Sequence, residues 1–220
     1  MRAFFAPQSP TPPSAQDNAE SDHAAYLVRS VNNKFVGASR LTSDFLGVTG
    51  KVNLVTKPAL EAMVLFRHPG DGSLFAIASH LTGWEPNPLV LLKAHRFPNN
   101  QPCGPRCSLS DPDIRFERLG NPTAEYSSYN SQPTFVAGPL ADHRGQPFLV
   151  LLSDNWLRAG PRGLPDAGYV WLPLEFHGNG GGGSGEGVRE ILTVAKRMNW
   201  TLADPFRGDD NAEESTGAIS

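Results

Sequence analysis

The chain has 220 residues, enough for one sizeable domain with a buried core. Its 19 Lys and Arg against 22 Asp and Glu leave a net charge of -3, a near-balance that argues against a nucleic-acid or polyanion binder. The sequence has no run of about 18 apolar residues, so no membrane-spanning helix and no membrane partner is expected, and its 22 Gly and 20 Pro suit short strands joined by turns better than long helices.

Residues 1–20 are rich in Pro, Ser, Ala and Gln without periodicity and read as a disordered tail. The apolar stretch in MRAFFAPQSPTPP is too short for the core of a secretory signal, and localisation stays open. AAYLVRSV (24–31) and FVGASRL (35–41), joined by NNK, predict a hairpin. TSDFLG (42–47) follows as a turn or a single helical turn capped by Thr42 or Ser43. KPALEAMVLFRH (57–68) and LFAIASHL (74–81), joined by the Gly-rich PGDGS, predict a second hairpin, and LVLLKAH (89–95) a further strand. Residues 96–122 read as a long polar loop of the kind that borders binding sites. Inside it, Cys103 and Cys107 can form a small-loop disulfide, stay free, or join His95 in a metal site short of ligands.

SQPTFVAGPL (131–140) and QPFLVLLSDNW (146–156), joined by ADHRG, predict a third hairpin, followed by the strand AGYVWLPLEF (167–176). GNGGGGSGEG (178–187) reads as a linker or mobile loop. Its glycines do not follow a strand and open a helix, as a phosphate loop requires. REILTVAKRMNW (189–200) reads as strand plus turn, with a short helix as the alternative, and residues 207–220 as a disordered acidic tail. The expectation is one all-β domain over residues 21–206.

Several residues stand out for chemistry. Glu61 heads an apolar run, flanked by Ala59, Leu60, Ala62, Met63, Val64 and Leu65. Apolar surroundings raise a carboxyl pKa, which suits a proton donor; a solvent-exposed strand-edge Glu is the plainer alternative. Trp84, in ASHLTGWEPNP, can stack on a sugar face or pack beneath a rim. Gln132, in YNSQPTF, is a neutral amide able to orient a water or to bond its own backbone. Asp154 and Trp156, in LLSDNW, end a strand with either a structural or a sugar-binding role. Asn33, in SVNNK, is explained by turn chemistry.

Taken in order, KPALEAMVLF, ASHLTGWEPNP, YNSQPTF, LLSDNW and YVWLPLEF resemble the later blades of glycoside hydrolase family 43, in its exo-β-1,3-galactanase branch. The resemblance covers about residues 21–206 and departs at Met63, where the family has proline, and at Ser153, where it has glycine. It implies a partial five-bladed β-propeller of about three blades and a carbohydrate partner, β-1,3-galactan or a related polysaccharide. The implied reaction is inverting hydrolysis of terminal β-1,3-linked galactose. Glu61 takes the place of the general acid, Gln132 that of the amide at the catalytic centre, Trp84 a place at the pocket rim, Asn33 one at a sugar hydroxyl, and Asp154 and Trp156 the strand end near the pocket. No metal site is expected among these residues, Ca²⁺ entering from the resemblance alone, and no other cofactor is implied.

The family carries an Arg-Asp pair before the segment matching Ser21-Asp22-His23-Ala24-Ala25-Tyr26, and its Asp tunes the acid. Here SPTPPSAQDNAES stands there, and Asp17 is badly placed. The expectation is therefore a fragment or degenerate relative, weak or inactive alone, with a non-catalytic carbohydrate-binding module as the alternative.

Overall fold

A computed structural model describes residues 3–4, 25–83, 85–123, 125–155, 167–177, 191–195 and 200–206. Among them there is no α-helix, and the one helical turn is a 3-10 turn at Ser128–Asn130. The strands form three antiparallel sheets. The first has the order β1 (Ala3–Phe4), β2 (Tyr26–Val31), β3 (Phe35–Leu41) and β4 (Val48–Thr56). The second contains β5 (Glu61–Arg67), β6 (Leu74–Ser79), β7 (Val90–Arg96) and β8 (Gln101–Pro102), with β9 (Ile114–Gly120) also paired to β7. The third has β10 (Gln132–Ala141), β11 (Pro147–Asn155), β12 (Gly168–His177) and β13 (Ile191–Thr193).

Local chemistry makes these strands. The β2–β3 turn bonds Lys34 N–H to the Val31 carbonyl (3.0 Å), with Asn32 and Asn33 both at φ 52°. That left-handed pair is the hairpin turn whose twist matches the strands, and Asn tolerates it well. In the β5–β6 turn, Asp71 accepts from the Ser73 N–H (2.9 Å) and hydroxyl (2.7 Å), while Gly72 takes φ 70°. Both turns and all three expected hairpins are present.

The second sheet is buried on both faces at β6. Leu74, Ala76 and Ala78 of β6 pack with Val28, Val36, Ala38 and Val55 of the first sheet. Phe75 and Ile77 pack on the opposite side with Val136, Leu149, Leu151, Leu172 and Leu174 of the third sheet. All six β6 residues are buried, as befits a strand with no solvent face. Alternation along one strand therefore feeds two cores.

Residues 96–122 differ from the expected loop. β8 and β9 lie within them, and β9 pairs with β7 from Leu91↔Gly120 to Arg96↔Ile114. IRFERLG alternates buried Ile114 and Phe116 with exposed Arg115 and Glu117, a half-buried strand pattern inside a polar, Pro-rich surround. β4 was also unforeseen, its β-branched residues being interrupted by Gly50 and Asn53. TSDFLG forms a turn in which Asp44 accepts from the Thr42 hydroxyl and from Leu46 N–H, which holds it short of a helix. Residues 3–4 of the stretch read as a tail pair with β2; the remainder of 1–20, the glycine-rich 178–187 and 207–220 lie outside the described residues.

Of the alternatives open for the cysteines, the structure has the disulfide. Cys103 and Cys107 are joined, with Cα atoms 5.3 Å apart. The loop they close and the residues that follow it, 103–111, form a strap between the first two sheets. Tyr26 Oη bonds Ser108 Oγ (2.7 Å), and Asn53 Nδ2 donates to the Leu109 (3.1 Å) and Asp111 (2.8 Å) carbonyls. Arg67 pins the strap from beneath, donating to the carbonyls of Gly72 (3.0 Å), Gly104 (3.0 Å) and Cys107 (3.1 Å). Arg67→Met keeps the apolar stem and strands three carbonyls. Denaturant unfolding should show a loss of about 2 kcal/mol. A loss under about 0.5 kcal/mol would mean that the strap holds without the guanidinium.

Candidate active site

Glu61 is the first residue of β5, and its Cα partner is Ser79, the last residue of β6. The ladder slips between Glu61 and Val64, and Ala62 sits at φ 49°, a conformation an alanine rarely adopts. This bulge turns Glu61 out of regular register while Leu60, Met63 and Val64 stay buried around it. Gln132 opens β10 on the neighbouring sheet, and β10 packs against β5. The two side chains meet: Gln132 Nε2 donates to Glu61 Oε1 at 3.0 Å and to Ser79 Oγ at 3.2 Å. Two candidates separated by 71 positions in sequence thus share one hydrogen bond.

Burial raises the Glu61 pKa, and the Gln132 hydrogen bond opposes this with the smaller effect. No charged group contributes to the shift. The adjacent His80 is held below its ordinary value, first by burial and then by the charge of Arg118. The site is accordingly a half-buried acid among neutral partners.

Two residues not singled out from the sequence complete it. Ser79 is buried and stands between Gln132 and Asn87, whose Nδ2 donates to Ser79 Oγ (3.3 Å), His80 O (3.0 Å) and Thr82 Oγ1 (2.6 Å). Both lie within the ASHLTGWEPNP segment, but only the β5–β6 register places Ser79 beside Glu61. The turn before Gln132 is fixed from both sides. Ser128 Oγ donates to Asn87 O (2.6 Å), Ser131 Oγ to Ser128 O (2.7 Å), and Glu125 accepts from Tyr129 N–H and Ser127 Oγ. Ser128, Tyr129 and Asn130 are all left-handed there, at φ 51°, 59° and 58°, a strained run that these bonds hold in place.

The other sequence candidates are placed differently. Asp154 is the register neighbour of Gln132 across β10 and β11, half-buried between buried Ser153 and Asn155. Asn33 is exposed in the β2–β3 turn, where its Oδ1 accepts from Ser30 Oγ (3.5 Å). Trp84 and Trp156 lie outside the described residues. Among the described residues no group of three or more His, Cys, Asp or Glu is arranged to hold a metal.

The raised pKa has a stability consequence. Between the ordinary carboxyl value of 4.5 and the higher folded value, folded Glu61 keeps a proton that the unfolded chain has lost. Stability is therefore lost as pH rises through that window. Glu61→Gln removes the loss, so the variant should gain on the wild type as pH rises above 4.5 in parallel denaturant melts. A constant difference across that range would show that burial does not perturb Glu61.

No family model matches the sequence, and no curated protein matches it. Solved structures do. A glycoside hydrolase family 43 β-1,3-galactosidase, BT3683, solved with galactodeoxynojirimycin, is 25% identical with TM-score 0.59, over 82% of this chain and 44% of its own. The exo-β-1,3-galactanase of Phanerochaete chrysosporium, solved with galactose, is 26% identical with TM-score 0.53, over 79% of this chain and 32% of its own. An exo-β-1,3-galactanase from Clostridium thermocellum, 22% identical with TM-score 0.51 over 71% of this chain, shares the fold. The chain spans less than half the length of each of these neighbours. In fold, the chain is therefore a structural relative of part of the family 43 β-1,3-galactosidases and exo-β-1,3-galactanases.

Proposed function

We propose that the chain carries the acid side of a galactan-cleaving site: inverting removal of terminal β-1,3-linked galactose, with its three sheets forming three blades of a five-bladed propeller. The observation that carries this reading is the Glu61–Gln132 hydrogen bond at 3.0 Å, formed where β5 and β10 begin. Similarity to enzymes solved with galactose and with galactodeoxynojirimycin supports the sugar class.

Glu61, whose pKa burial raises, gives its proton to the glycosidic oxygen as the C1–O bond breaks. Water adds to C1 from the opposite face as one of its O–H bonds breaks, that proton passing to solvent, from which Glu61 is later reprotonated. Gln132 orients that water through its amide, or relays the proton through its imidic tautomer. An inverting pair stands about 6.5–9.5 Å apart to admit sugar and water. The 3.0 Å contact therefore belongs to the resting site, and an entering galactose parts the two side chains. Burial alone raises the acid, without a charged partner, so turnover by this chain alone should be slow. Trp84, Trp156, Asn33 and Asp154 are proposed to contact the sugar around this centre.

Purified chain and its Glu61→Gln variant should be compared on β-1,3-galactan and on an aryl β-galactoside with a good leaving group. Galactose release from galactan should fall by about 100-fold or more in the variant, and less on the aryl substrate, whose leaving group needs little protonation. The first product anomer, read by NMR, should be α. Release unaffected by the substitution, or a β product, would remove Glu61 or inversion from the reading. Galactose binding without turnover in either protein would leave a carbohydrate-binding module.

A further inference from the structure

The hydrogen bonds behind Gln132 form a chain with a defined direction. His80 N–H, which can only donate, bonds Asn87 Oδ1 at 2.9 Å. This fixes the oxygen end of the Asn87 amide and turns its NH₂ toward Thr82 Oγ1 at 2.6 Å and toward His80 O and Ser79 Oγ, which share its second proton at 3.0 and 3.3 Å. The Ser79 hydroxyl gives its one proton to the His80 carbonyl at 3.2 Å. In that arrangement it offers Gln132 a lone pair, which matches the Gln132 nitrogen at 3.2 Å. The same nitrogen reaches Glu61 Oε1 at 3.0 Å.

The opposite amide orientation would have a chemical cost. With its carbonyl toward Glu61, Gln132 would accept the acid's own proton and hold it in a hydrogen bond. With nitrogen there, Oε1 of the acid is an acceptor and the proton rests on Oε2, free for a leaving oxygen. The carbonyl end of Gln132 is at the same time turned away from the acid. We infer that Asn87, acting through Ser79, is a positioning residue that fixes the amide of Gln132 with nitrogen on Glu61, leaving the acid's proton available and the Gln132 oxygen free for water. The inference rests on the galactan-cleaving reading for its purpose, but not for its geometry. Ser79 also keeps hold of Gln132 when an entering sugar parts it from Glu61. Asn87 is suited to the task because its backbone carbonyl anchors the Ser128 turn that delivers Gln132.

The test uses the full chain and four variants: Ser79→Ala, Ser79→Thr, Asn87→Ala and Gln132→Ala. Proton–nitrogen correlation NMR identifies the Gln132 side-chain amide by its disappearance in Gln132→Ala. In Ser79→Ala and Asn87→Ala those signals should move to the shifts and fast exchange of a free glutamine, and Ser79→Thr, which keeps the hydroxyl, should restore them. On β-1,3-galactobiose, kcat should drop by about tenfold in the two alanine variants with KM changed less than about twofold. Thermal melts identify an unfolded variant, and the Ser79 pair decides the matter if Asn87→Ala fails to fold. Unchanged Gln132 signals in folded Ser79→Ala, or no recovery in Ser79→Thr, would overturn the inference. Shifted and restored signals with no galactose release from any protein would support the positioning and reject the catalytic reading.

Discussion

The structure depends on one constraint: the second sheet is covered on both faces. β6 carries this most plainly, with every residue from Leu74 to Ser79 buried. Its two faces differ in size rather than polarity. Leu74, Ala76 and Ala78 meet the first sheet, while Phe75 and Ile77 meet the third. A one-residue slip would drive the larger side chains into the space left for alanines and open voids opposite. The register is thus set by volume, and with it the pairing of Glu61 with Ser79 at the sheet's end.

That burial also sets the electrostatics of the site. Ser79 is a polar end to an otherwise apolar strand, and its hydroxyl is satisfied by His80, Asn87 and Gln132. A buried hydroxyl without partners would be costly, so the network is a condition of the fold as much as a feature of the site. Glu61 gains its raised pKa from the same apolar packing. One layer of side chains therefore positions the carboxyl and withdraws it from water.

The joint between the first and second sheets is made differently. Beside the Val, Ala and Leu of that core, the strap of residues 103–111, which includes the disulfide, is fixed by Arg67, Tyr26 and Asn53 through main-chain carbonyls and hydroxyls. Arg67 ends β5, whose other end carries Glu61. Seven residues of strand, about 20 Å, separate the strap from the site. The two ends of β5 thus hold the strap and the proposed acid separately.

The sequence by itself determined the strand class, the three hairpins and their turns, because Gly, Asn, Asp and β-branched residues act locally. It also marked Glu61 and Gln132, whose settings are unusual over a few neighbours. It did not reveal β9, whose short alternation sits inside a polar, Pro-rich stretch, or β4, where Gly50 and Asn53 dilute the pattern. Only the tertiary structure decided that Gln132 bonds Glu61, that Ser79 and Asn87 stand behind it, and that Cys103 and Cys107 are joined. Each of these depends on packing and register between strands, which no local window contains. Distance along the chain hid the site, and the burial of one sheet between two others assembled it.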